Sequence, residues 1–231
     1  MEKKNDVQTK DAYQLFLNRF QIEEKALIKF GLEETIYPDN ISINKVTEQW
    51  HNLKVSLLSN KEVYIRQFGQ TGENNPLFKD FIKYIFGNDN IKIDPSRNSR
   101  PTKVLEEVTG LKKNKSISNY QVSHTFGMTK NPLLFTAAWN LAFIPKLMDP
   151  FTGHESSGKL KTSYEQEYQK VIKRKFKEYI EEYNEIIDGF NVSEKIEEFI
   201  NLQIKSNNYP EKLMGNFKKE VSINFAKIPL D

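Results

Sequence analysis

The chain has 231 residues, with 34 Lys+Arg against 31 Asp+Glu, no Cys and three His. Without cysteine it has no disulfide framework, no thiolate nucleophile and no Cys-built zinc or iron–sulfur site. The length fits one large domain, 16 Phe and 10 Tyr supply bulk for a core, and the net charge of +3 excludes little by itself.

The opening MEKKNDVQTKD lacks the apolar centre of a signal peptide. No apolar run approaches the roughly 18 residues of a membrane span. A soluble, cytoplasmic protein is therefore expected. Ala12, Tyr13, Phe16, Leu17, Phe20, Ala26, Leu27 and Phe30 recur at helical spacing, punctuated by Gly31 and Pro38. A second helix is predicted over 43–58, with Val46, Trp50, Leu53 and Leu57 on one stripe and His51 in a structural role. Phe78, Phe81, Ile82, Ile85 and Phe86 predict a third, opened by Asn75-Pro76 and stopped by Gly87. Residues 88–100 are polar, and Asp94-Pro95 and Arg100-Pro101 argue against helix there.

Two short strands follow. Residues 116–124 alternate, with Ile117, Tyr120 and Val122 as strand formers, and 135–144 form a second β-compatible run. Gly127, Thr129 and Asn131-Pro132 mark the loop between them. The longest predicted helix spans 164–187, where Tyr164, Tyr168, Ile172, Phe176, Ile180, Tyr183 and Ile187 share one apolar face. A last helix covers 193–206, where Asn191 and Glu194 have the spacing of a capping box.

The charge is unevenly spread. Residues 1–91 sum to −1, residues 92–161 to +6 and residues 162–231 to −2. A basic centre is the footprint of a polyanion partner. The chain thus divides into an N-terminal helical region (1–91), a basic core (92–161) and a C-terminal helical region (162–231), joined as one compact unit. Two of the three histidines lie in the basic core: His124 closes the first strand, Asn140-Leu141 lies in the second, and His154 stands at the entry to the helical part.

That set, in a strand–loop–strand–helix order, resembles the His-Asn-His (HNH, ββα-metal) nucleases. The runs SNYQVSH, WNLAFIPK and DPFTGHE look like those of bacterial restriction proteins. The resemblance covers residues 115–160 and none of the first hundred. It implies an α+β, mostly helical fold, with a ββα-metal nuclease core flanked by helices. It also implies a metal-dependent type II restriction endonuclease that cuts double-stranded DNA as a homodimer. His124 would be general base, Asn140 its positioning partner and His154 a ligand to one divalent cation, Mg²⁺ or Mn²⁺. Hydrolysis needs a water deprotonated near neutral pH, which suits a neutral imidazole held in one tautomer by an amide or backbone carbonyl. The chain departs from the family in three ways: Ser123 stands where many members carry a carboxylate ligand, leaving Gln121, another side chain or water; the gap before His154 is long; and no cysteine zinc site braces the fold.

Phosphate contacts are expected from Arg97, Arg100, Lys112, Lys113 and Lys115 ahead of the first strand, from Lys130 in the loop and from Lys159 beyond it. The two arginines stand out among 29 Lys and five Arg, because a guanidinium pairs bidentately with guanine. Two other readings belong to different classes: a non-catalytic nucleic-acid-binding or interaction protein, and a homing or toxin-type nuclease of the same family.

Overall fold

The computed structural model describes residues 10–67, 75–96, 98–153, 155–206 and 209–230. Arg97 and His154 lie outside the described residues. The chain opens with two helices rather than one, α1 (Ala12–Phe20) and α2 (Glu24–Glu33). Asp11 caps α1 by accepting from the N–H groups of Tyr13 and Gln14 at 2.9 and 3.2 Å. Gln21 ends it in the left-handed region, φ 53°.

Gly31 does not punctuate a helix; it lies inside α2 and is there for contact. A Cβ at this position would come 2.6 Å from the Tyr164 ring and 2.7 Å from Met148. Gly31→Ala is therefore expected to destabilise the fold by about 1–3 kcal/mol, because the Tyr164 ring sits in a filled core. A thermal unfolding curve matching wild type would refute that packing.

Helix α3 (Asp39–Leu58) buries Val46, Trp50, Leu53 and Leu57, the stripe read from the sequence. His51 is off that stripe and exposed. Strand β1 (Val63–Ile65), helix α4 (Asn75–Phe86) and strand β2 (Ile91–Ile93) form a unit in which the two strands pair in parallel, Val63 opposite Ile91. Asn88 closes the end of α3 by donating to the carbonyls of Leu57 and Lys61 at 2.8 and 3.0 Å.

Helix α5 (Ser99–Thr109) begins where the sequence argued against helix. Pro101 is tolerated because it occupies the first turn, where a missing N–H breaks no helical bond. Gly110 closes α5 at φ 72° and returns its N–H to the Glu106 carbonyl. The helix packs on α3.

Strand β3 (Tyr120–His124) and strand β4 (Leu141–Pro145) pair antiparallel, His124 opposite Leu141. Both are shorter than expected. Residues 132–140 become helix α6 (Pro132–Phe135) and a 3-10 turn over Ala138–Asn140, so Asn140 precedes the strand. Their apolar side chains reach the core through turns instead of strand alternation. Ile36 pairs with the other edge of β4, exchanging bonds with Phe143 at 2.9 and 3.1 Å. A 3-10 segment, Lys146–Phe151, leads away from β4.

The helix expected over 164–187 is two: α7 (Lys159–Lys175) and α8 (Lys177–Gly189), broken at the buried Phe176. The core residues recur mostly every four positions, which advances about 40° past a full turn at each step. A straight helix would carry the stripe away from the core; the break resets it. Helices α9 (Val192–Ser206) and α10 (Glu211–Asn224) complete the chain. The residue read as opening a capping box, Asn191, adopts φ 49° and serves as the corner between α8 and α9.

The coarse expectation of an α+β, mostly helical chain holds. One hydrophobic cluster contains Leu17 and Trp50, Leu134 and Trp139, and Ile180 and Phe217, so the three sequence regions share a core. Trp139 is part of that packing, set edge-on to Trp50 with ring centroids 5.6 Å apart. Among the described residues, no helix is long and apolar enough to cross a membrane.

Candidate active site

The β3–β4 hairpin carries a long loop, residues 125–140, and that loop is tied at three points. Thr125 N–H bonds to the Asn140 carbonyl at 2.9 Å, continuing the ladder. Phe126 N–H donates to Asn140 Oδ1 at 3.1 Å. Asn140 Nδ2 donates to the Leu134 carbonyl at 2.9 Å. Asn140 is fully buried; its bond to the Leu134 carbonyl is buried with it, and the bond from Phe126 is partly so. Asn131 Oδ1 caps α6 through Leu133 N–H, while its Nδ2 donates to the Tyr183 hydroxyl and to the Asn224 carbonyl.

This tied loop delivers the Phe135 carbonyl to His124. The His124 Nε2 lies 2.9 Å from that oxygen, and the Phe135 ring stacks on the imidazole at 5.4 Å and 8°. A carbonyl can only accept, so Nε2 bears the proton and Nδ1 keeps the lone pair in the neutral ring. Burial pushes the His124 pKa down from 6.5 to about 4; the Phe135 carbonyl and Asp94 oppose that shift, and Arg66 reinforces it. The ring is therefore neutral at neutral pH, in one tautomer. Asn140 acts on His124 through the loop and the Phe135 carbonyl, with both ends of its own amide occupied.

Two residues whose charges act on His124 come from elsewhere in the chain. Arg66 follows β1, and its N–H bonds to the Thr129 carbonyl of the loop at 2.9 Å. Asp94 follows β2 and is buried. Its carboxylate accepts from the N–H groups of Ser96, Ser99 and Arg100 at 2.9, 3.1 and 2.6 Å, holding the entry to α5. The sequence marked Asp94 only as a turn residue and gave no sign of Arg66.

The residues expected to bind DNA fare differently. Arg100 stacks on Tyr64, 3.9 Å from the ring, bonds its hydroxyl and pairs with Glu62 at 3.6 Å. Lys130, half-buried, donates to the Gln67 carbonyl at 2.6 Å. Lys113 donates to Gln121 Oε1 at 2.8 Å. Lys112, Lys115 and Lys159 are exposed.

A cation site is not assembled by the described residues. Gln121, a candidate ligand, already accepts from an ammonium. Ser123 is buried. Asp149 lies close enough to Glu155 that burial and that second carboxylate raise its pKa, but two carboxylates fall short of a ligand set. Among the described residues no group of three or more His, Asp or Glu could hold a metal. Helix α7 begins at Lys159, so His154 precedes the helix that would carry it in an HNH fold.

A family model described as "Uncharacterised protein PM1201" matches residues 41–230. That match spans most of the chain. The chain belongs to the PM1201 family. A relative of that name from Pasteurella multocida (strain Pm70) is 40% identical over 222 residues, which cover 95% of this chain and 97% of that protein. The family match takes in most of α3, the hairpin and the C-terminal helices and begins after α1 and α2, while the match to the relative extends over 95% of the chain. No solved structure matches.

Proposed function

We propose that this chain is a site-specific DNA endonuclease that hydrolyses phosphodiester bonds, in the manner of an HNH restriction enzyme. The observation that carries the proposal is the His124 ring at the end of β3, whose Nε2–H is given to the Phe135 carbonyl, so that one tautomer is fixed and Nδ1 is the basic nitrogen. His124 at the end of β3, Asn140 beside β4 and the loop between them also follow the order of the resemblance. The proposed reaction also takes a divalent cation with His154 as one ligand, although the described residues do not complete its ligand set.

A second reading rests on burial. His124 is only 9% exposed and burial pushes its pKa down to about 4, which weakens it as a base near neutral pH and suits a structural histidine in a non-catalytic nucleic-acid-binding protein. Plasmid and phage DNA incubated with the purified chain and Mg²⁺ or Mn²⁺ separates the two. Discrete fragments are expected. Intact DNA across varied, unmethylated substrates refutes the endonuclease.

A further inference from the structure

A cleft lies between the end of β1, the first turns of α5 and the turn that leads into β3. Its volume of about 570 Å³ would suit a small molecule, but its walls do not. Three cations converge on it from three separate segments: Arg66, Lys103 and Lys113. Between them stand uncharged hydrogen-bonding groups, among them Ser96, Ser99 and Asn114; the Thr102 hydroxyl is already given to the Asn98 carbonyl at 2.7 Å. Among the described residues that line it there is no aliphatic or aromatic side chain.

The one carboxylate in the lining, Glu106, accepts from the Lys113 backbone N–H at 2.9 Å. Asp94, behind the cleft, is already satisfied by three N–H donors. The Asn98 side-chain oxygen is buried with no protein partner; as an acceptor it cannot bond a phosphate oxygen, and only a water could bridge the two.

We infer that this cleft binds the phosphodiester backbone of a nucleic acid. Small-molecule and cofactor pockets are mostly apolar, and a free nucleotide would need a face on which its base could stack. This cleft offers neither. It offers separated positive charges and small donors, which suit a chain of hydrated phosphates. Such contacts hold the strand in place and do not read its sequence. Arg66 connects the cleft to the candidate active site, since it lines the one and its charge acts on the His124 ring of the other. The placement of the strand beside a catalytic base rests on the endonuclease reading; the binding itself does not.

The test uses the full chain without divalent metal and two unrelated 20-bp duplexes, with affinity followed by fluorescence anisotropy from 50 to 200 mM salt. Neutralising two phosphate contacts in Lys103→Gln/Lys113→Gln lowers the slope of log K against log salt by about 2, and weakens both duplexes alike. Lys113→Arg retains the wild-type slope, which separates charge from folding. The pair Lys170→Gln/Lys177→Gln, in the basic groove at the α7–α8 junction, leaves the slope unchanged. An unchanged slope in the cleft variant, an equal loss in the groove variant, or a wild type that binds neither duplex overturns the inference. Salt-dependent binding through the cleft, with varied unmethylated plasmid and phage DNA left intact by the same protein and Mg²⁺ or Mn²⁺, leaves the inference standing and refutes the endonuclease.

Discussion

Replacing His124 with alanine is expected to lower metal-dependent plasmid cleavage by about 10²- to 10⁴-fold, the usual contribution of a positioned general base. DNA binding should survive, because the cleft cations and the ring are different groups. His124→Gln is the companion variant. Its amide can still donate to the Phe135 carbonyl and fill most of the space, yet it offers no basic nitrogen. Loss of cleavage in both variants with retained binding supports catalysis. Retained cleavage in a folded His124→Gln protein refutes the assignment.

The same ring makes a prediction about pH. An unfolded imidazole titrates near 6.5, and the folded one is pushed down to about 4. Above pH 6.5 both are neutral, and the ring contributes no pH dependence. As pH falls from 6.5 towards 4, the unfolded chain binds a proton that the folded chain refuses. Stability therefore drops across that window, by at most about 3 kcal/mol, and levels off below it. Urea unfolding at pH 7 and pH 4.5 should show a larger loss for wild type than for His124→Gln. Equal losses would mean that the ring is not desolvated as described.

The second large effect belongs to Asn140. Alanine there leaves the partly buried Phe126 N–H and the buried Leu134 carbonyl without their partners around a fully buried position. Each orphaned backbone group costs about 1–3 kcal/mol, so a loss of about 2–5 kcal/mol is expected. At roughly 2–4 °C per kcal/mol for a domain of this size, Tm should fall by about 5–15 °C. Asn140→Asp keeps the acceptor for Phe126 but loses the donor to Leu134 and buries a charge, so it should be no better. A Tm within the error of wild type for the alanine variant would show that the loop is held by other means. Because the Phe135 carbonyl reaches His124 only through this loop, the alanine variant should also lose cleavage beyond what its unfolded fraction explains, when assayed well below its Tm.

The sequence by itself determined the helical stripes and the end of the first strand. Val46, Trp50, Leu53 and Leu57 are buried as their spacing requires, because helical periodicity is a local property of the chain. His124 closes β3 for the same reason, since alternation over Tyr120–His124 needs no distant partner to be read. The placement of Asn140 near the hairpin was legible too; its role was not. Its amide spans the loop to Phe126 and Leu134, and nothing in the spacing distinguishes that from a direct bond to the imidazole.

Tertiary structure decided the rest. The break at Phe176 exists because a stripe repeating every four residues cannot stay on one core along a straight helix. Gly31 is set by the Tyr164 ring, 133 residues away in the chain. Arg100, prominent among five arginines, spends its guanidinium on Glu62 and Tyr64, while Arg66, with no motif around it, is the cation whose charge acts on His124. Charge and periodicity are written along the sequence; which charges meet depends on how β1, β2 and the hairpin are brought together, and burial then sets the protonation state of the histidine they surround.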